Sequence, residues 1–197
     1  MILERLDSVV LASRSPRRVD LLRSLGLDVV VRPSAYDEGE VAGLEPRELA
    51  VHHAREKARD VARSLDEGAP LVVAADTIVE IDGRLFGKPA GTAEAAQMLR
   101  TLSGRTHQVH TGYCLRDRRA GERSGCVTSD VTFVTLREEQ IEEYIASGEP
   151  MDKAGAYGIQ GRGALLVDRV AGDFYAIMGL PVATLARECE ALGYRLL

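Results

Sequence analysis

The chain has 197 residues, 45% of them hydrophobic and 28% charged, and a net charge of −5. That length can bury a sizeable core as one large domain or two small lobes, and the acidic balance argues against broad electrostatic binding to nucleic acid. The apolar runs are too short to span a bilayer. No signal peptide precedes the first strand-like run, and Cys114, Cys126 and Cys189 fit neither a disulfide framework nor a structural zinc site, so a reducing cytoplasm is the expected compartment.

Val9–Ala12 reads as a short buried strand. Ser15-Pro16 then opens a helix, with serine as N-cap and proline at the first helical position. Leu21, Leu22 and Leu25 form its apolar face, and Gly26 closes it. Val29–Val31 is a second strand, and Ser34–Leu44 an acidic loop. Pro46 to about Leu65 is a helix with Ala50, Ala54, Ala58, Val61 and Leu65 on one stripe. Leu71–Ala75 is a buried strand that continues through Asp76 and Thr77 to Ile81 and an Asp82-Gly83 turn. Thr92 caps a helix to about Leu102. Thr106–Leu115 and Val127–Thr135 are strands of mixed polarity joined through the Arg116–Ser124 turn region. Thr135 and Glu138 form a capping box for a helix to Ser147, ended by Gly148. Leu165–Val167 is a strand, and Pro181–Leu192 the last helix. Strands and helices alternate while the central strands look hairpin-paired, so the expected class is α/β with a mixed sheet.

Three of the 25 lysine and arginine residues are lysines, Lys57, Lys88 and Lys153, which leaves 22 arginines. A lysine kept against such a bias serves as a compact point charge on a flexible stem, a common way to hold phosphate. Ser13–Arg18 joins a buried strand to a helix N-terminus, where free N–H groups and the helix dipole favour an anion, and Arg17 and Arg18 add forked donors. In the acidic loop, Asp37, Glu38 and Glu40 all offer the oxygen ligands that a hard cation takes. Asp76 ends a buried strand, where a carboxylate is expensive unless paired or ligating, and could bind metal or accept a proton from water.

His52 and His53 are adjacent on a helix and make a poor ligand pair. His107 is expected to be packed or hydrogen-bonded and not catalytic. No serine or cysteine nucleophile with a base is visible, nor a Walker or dinucleotide-binding glycine motif. The stretch Glu149–Gly161 combines glycines that let the backbone approach a ligand with Asp152, Lys153 and Gln160. An amide offers one donor and one acceptor, matching the imide edge of uracil or thymine.

These segments, together with Ala54-Arg55-Glu56-Lys57-Ala58, Ala74-Ala75-Asp76-Thr77, Gly87-Lys88-Pro89, Ser103-Gly104 with His107 and Thr111, and Gly179-Leu180-Pro181, span nearly the whole chain. In this order they closely resemble the Maf family of nucleoside triphosphate pyrophosphatases, also called septum-formation-inhibitor-like proteins. The resemblance implies one domain over residues 1–197. It implies a mixed, strongly twisted sheet with flanking helices in two lobes around a cleft, similar to inosine triphosphate pyrophosphatases. It implies hydrolysis of a nucleoside triphosphate between the α- and β-phosphates, with Mg²⁺ or Mn²⁺ as cofactor. By the match, Asp76 is the proton acceptor and, with Glu38, holds the metal. Arg17, Thr77 and Gln160 fall on the specificity positions of the branch acting on dTTP and UTP. Ser13, Arg18, Lys57, Lys88 and Asp152 fall on other pocket positions, and Lys153 joins the cations expected to neutralise the phosphates. The expected partner is the nucleotide, with no nucleic acid or membrane, and assembly as a homodimer stays open. The rival readings are a pyrophosphatase for purine or modified nucleotides and a nucleotide-binding regulator of cell division.

Overall fold

Short strands alternate with helices from the start of the chain, as the sequence pattern requires. The structure is a computed structural model that describes residues 3–39, 41–65 and 71–197. Two compact units emerge. The first comprises residues up to Asp76, Thr111–Val127 and Gly179–Leu197; the second comprises Thr77–His110 and Thr128–Met178.

The first unit holds β1 (Glu4–Arg5), β2 (Ser8–Leu11), α1 (Pro16–Ser24), β3 (Asp28–Val31), α2 (Pro46–Arg63), α6 (Val182–Ala191) and β9 (Tyr194–Arg195). It also holds the first residues of β4 (Leu71–Ile81) and parts of β6 (Thr106–Asp117) and β7 (Gly121–Phe133). β2 pairs in parallel with both β3 and β4, with Val10 opposite Val30 on one side and Val72 on the other. Strands buried on both faces read as continuous valine-rich runs, which is why Val9–Leu11 and Leu71–Ala75 were visible as strands. The small stripe of α2 packs on this sheet: Val10, Ala12, Val72, Ala74 and Cys114 meet Ala54, Ala58 and Val61. The helix lies so close that a Cβ on Gly112 would sit 2.2 Å from the carbonyl carbon of Ala50.

The second unit holds β5 (Arg84–Phe86), α3 (Thr92–Leu102), α4 (Glu138–Ala146), β8 (Val167–Ala171), α5 (Phe174–Met178) and the remaining parts of β4, β6 and β7. Its core gathers Val79, Phe86, Met98, Leu99, Leu102, Val109, Val131, Phe133, Ile141 and Leu166 around Tyr144 and Tyr157. β4 and β5 form an antiparallel hairpin, and Asp82 and Gly83 both take the positive φ that its two-residue turn demands. The hydrogen-bonded strand order is β3-β2-β4-β6-β7-β8, with β5 on β4. Parallel β2–β4 and antiparallel β4–β5 and β7–β8 make this the expected mixed sheet.

Several local expectations are corrected. Ser15 is the N-cap of α1 as expected, though its side chain makes no cap bond, while Gly91, not Thr92, is the N-cap of α3. Thr135 does not cap α4. The Leu136 N–H donates to Ser103 Oγ at 2.8 Å, and the helix starts later, with the Arg137 N–H donating to Gln140 Oε1 at 3.0 Å. The serine that ends α3 thus fixes the entry that Thr135 was expected to fix. Leu165 and Leu166 end a 3₁₀ segment (Gly161–Leu166), and β8 begins only at Val167. The parallel pair β1–β9 and the short α5 have no counterpart in the sequence reading.

Candidate active site

In the first unit the candidate side chains gather just beyond the parallel pairing of β2 with β4, whose last pair is Leu11 with Val73. β2 leads through Ala12 and Ser13 to α1. Asp76 does not end its strand as expected but lies inside β4, which runs on to Ile81 because its second half pairs with β5. On α2, Lys57 shares the buried face with Ala54 and Ala58, one turn on from His53. Its chain length lets the ammonium reach the strand ends.

Lys57 Nζ lies 2.7 Å from Asp76 Oδ1 and 2.7 Å from Glu38 Oε1. Lys57 is 7% exposed and Asp76 6%, so the pair is nearly dry; the Glu38 side chain is 53% exposed. A buried aspartate and a buried lysine would each be untenable alone, and the mutual bond is what permits both.

Arg18 completes the cluster. Its Nε donates to Gly179 O at 2.9 Å, and its Nη1 donates to Ala75 O at 2.8 Å and Ser13 Oγ at 3.1 Å. Burial pushes its guanidinium below the ordinary value, while Asp76 and Glu38 pull it back up. Arg18 therefore holds strand ends in place as well as adding charge. Arg17, in the same first turn, is half-buried.

The acidic loop is set by anchors that sequence reasoning missed. Asp60 of α2 accepts from Ser34 Oγ at 2.7 Å and from the Ala35 N–H at 2.8 Å. Tyr36 Oη lies 3.1 Å from His53 Nδ1, and the two rings are 5.7 Å apart. These bonds fix the phase of the loop, so that Glu38 reaches Lys57. Asp37 has no ion pair with Lys57, and Glu40 lies outside the described residues. The signal in the sequence was the i, i+4 spacing of His53 and Lys57 on one face with a tyrosine in the facing loop. Burial lowers the His53 pKa, with Lys57 adding to the effect and Asp76 opposing it.

The second unit holds the other residues singled out from the sequence. The Gly155 N–H donates to Gly87 O at 3.1 Å, which ties the start of Gly87-Lys88-Pro89 to the segment Ala154–Ala156. Lys153 Nζ donates to Glu149 O at 2.5 Å and Asp152 Oδ1 at 2.6 Å. Lys88, Asp152 and Gln160 are exposed, and Thr77 is half-buried next to Asp76 in β4. His107 is packed, as expected: it is 2% exposed, its Nε2 lies 2.8 Å from Tyr157 Oη, and its ring meets Phe133 edge-on.

Among the described residues no three His, Cys, Asp or Glu side chains gather to hold a metal. Glu38 and Asp76 supply two carboxylates, a donor set that suits a hard cation sharing its remaining positions between water and phosphate.

Fold and site define an α/β protein of mixed sheet, with a buried lysine–carboxylate cluster just beyond the carboxyl end of its parallel β2–β4 pairing, the side on which ligands of such sheets collect. The family described as Maf-like protein matches residues 8–192, and the chain belongs to that family. It is 46% identical over 187 residues to a dTTP/UTP pyrophosphatase of Carboxydothermus hydrogenoformans, covering 94% of this chain and 99% of that one. It is 48% identical over 178 residues to a dTTP/UTP pyrophosphatase of Moorella thermoacetica, covering 90% and 91%. Among solved structures it is similar to a HAM1 protein from Coxiella burnetii at 17% identity and a TM-score of 0.49, covering 93% of this chain and all of that one.

Proposed function

We propose that this protein hydrolyses nucleoside triphosphates, with dTTP and UTP preferred, to the nucleoside monophosphate and pyrophosphate. The names of its relatives support the reaction. The observation that carries the site is Lys57 held at 2.7 Å from both Asp76 and Glu38.

In this reading Asp76 accepts a proton from water as the water oxygen attacks, and the oxygen between the α- and β-phosphates leaves with pyrophosphate. Lys57 orients Asp76 through their 2.7 Å contact, and with Arg17 supplies positive charge to the phosphates. Arg18 and Ser13 hold the strand ends at fixed separation. Glu38 and Asp76 would hold Mg²⁺ or Mn²⁺, which when bound neutralises charge developing on phosphate oxygens. Lys88 and Lys153 add further cations, with Asp152 orienting Lys153. Gln160 reads the imide edge of the base, with Arg17 and Thr77 completing selection. The substrate carries about four negative charges, and a chain of net charge −5 must meet them with a local excess of cations.

Phosphorus NMR of the products of dTTP or UTP with Mn²⁺ tests the bond cleaved. Monophosphate and pyrophosphate are expected; diphosphate with orthophosphate would rule it out. Asp76→Asn keeps the shape and removes the base, and turnover should fall at least ~10²-fold. Near-normal turnover in a folded Asp76→Asn protein would move the role to another group.

A further inference from the structure

One carboxylate in the second unit has no part in the chemistry above, yet it closes a loop of the chain on itself. Glu149 Oε1 accepts from Tyr144 Oη–H at 3.0 Å and from the Gly163 N–H at 3.0 Å, and Oε2 accepts from the Arg162 N–H at 3.0 Å. Tyr144, 4% exposed, accepts in turn from the Gly158 N–H at 3.0 Å. The two ends of the segment 149–163 are therefore tied through a single side chain, and Gly158 is tied to the same point. Gln160, exposed, lies in the chain between the ties at Gly158 and Arg162.

The backbone is shaped around that carboxylate. Gly161 takes a φ of +67°, and a Cβ there would lie 2.8 Å from Glu149 Oε2. A Cβ on Gly163 would lie 2.1 Å from Gly158 O and 2.7 Å from Tyr144 Oη. Only glycines allow the chain to pass this close to Glu149 and Tyr144. Burial pushes the Glu149 carboxyl up, but the bonds from Gly163, Arg162 and Tyr144 outweigh it and leave it below the usual carboxylate range. The ionised form is thus the one the loop is built on.

We propose that Glu149, with Tyr144 as its relay, is a positioning residue for base selection. It fixes the backbone on both sides of Gln160, so that the amide meets the base with one orientation. The proposal rests on the reading that Gln160 recognises the base. An amide free to flip would accept uracil and cytosine alike, since the two bases present reversed donor and acceptor patterns. Selectivity therefore comes from the clasp as much as from the glutamine.

Glu149→Gln and Tyr144→Phe test it. Glutamine cannot accept from three donors without turning its NH₂ toward a backbone N–H. Phenylalanine removes the link to Gly158 and keeps the ring in the core. In either variant the ratio of kcat/KM for UTP over CTP should narrow ~10-fold, the scale of losing one hydrogen bond to a charged group. Hydrogen exchange at the Gly158, Arg162 and Gly163 amides should quicken in Glu149→Gln, with exchange in the core strands unchanged. Gln160→Ala is measured in parallel. If Gln160→Ala leaves the ratio intact, the base-recognition reading fails. If Gln160→Ala narrows the ratio but folded Glu149→Gln and Tyr144→Phe do not, the clasp fails while the base reading stands. A uniform loss of rate on UTP and CTP in the two clasp variants likewise reduces Glu149 to a structural residue and overturns the proposal. Should Glu149→Gln not fold, Tyr144→Phe alone decides by the same ratio.

Discussion

Two residues show how far side-chain chemistry could be read from the sequence. Lys57 stood out because the chain otherwise uses arginine, and it was read as a point charge for phosphate; its ammonium lies 2.7 Å from two carboxylates, which the sequence did not foretell. The choice of Glu38 over Asp37 and Glu40 was not legible from residue type, since all three are acids in one loop; the anchors at Asp60 and His53 make it. His107 was expected to be packed, and its burial has a measurable consequence. Burial lowers its pKa from 6.5 to about 4. Above pH 6.5 both folded and unfolded states carry a neutral ring, and the full stability is present. Between 6.5 and 4 only the unfolded state binds the proton, so stability falls as pH falls, by on the order of 3 kcal/mol in all. Below about 4 the contribution levels off. Thermal melts from pH 7 to pH 4 should show this loss, and His107→Gln should flatten it; equal slopes in the two proteins would refute the assignment. His53, also lowered by burial, adds to the slope in both.

Elements with a strong internal period were the readable ones. The stripe of α2 appeared in its sequence and packs as expected, and Leu71–Ile81 forms one strand through Asp76. Elements fixed by distant partners were not readable. The two-residue strands β1 and β9 exist only because Glu4 pairs with Tyr194 and Arg5 with Arg195. The 3₁₀ segment before β8 is shaped by Glu149, which lies 13 and 14 residues from the amides it binds. Gly112 is the sharpest case. Nothing in the strand expected over Thr106–Leu115 sets it apart, yet the Ala50 backbone occupies the space beside it. Gly112→Ala must push α2 off the sheet, and overpacking of this kind costs about 1–3 kcal/mol or more. Because α2 carries Lys57 and His53, activity should fall further than stability alone explains. Urea denaturation with a rate measured at a temperature where the variant is fully folded separates the two; wild-type stability would show that the helix yields freely.

For the molecule as a whole, family membership follows from a match over residues 8–192, while the reaction rests on relatives and on the cluster built by α2, β4 and the acidic loop. Most of the candidate site was legible in outline, because each motif carries a chemistry in its residue types. The clasp at Glu149 was hidden, since a glutamate before a proline gives no local sign of bonds to distant amides. The scarcity and graded burial of lysine also give the protein a distinctive reactivity. Lys57 is 7% exposed, the Lys153 side chain is 14% exposed and tied to Glu149 and Asp152, and Lys88 is exposed. Apart from the α-amine, an acylating reagent therefore meets three side-chain amines of very different access. Mass spectrometry should find Lys88 modified first and Lys57 last, and modification of Lys57 as fast as Lys88 would contradict the buried cluster. A bound nucleotide should slow acylation of Lys88, so the same digest becomes a footprint of ligand at single-residue resolution, with no engineered label.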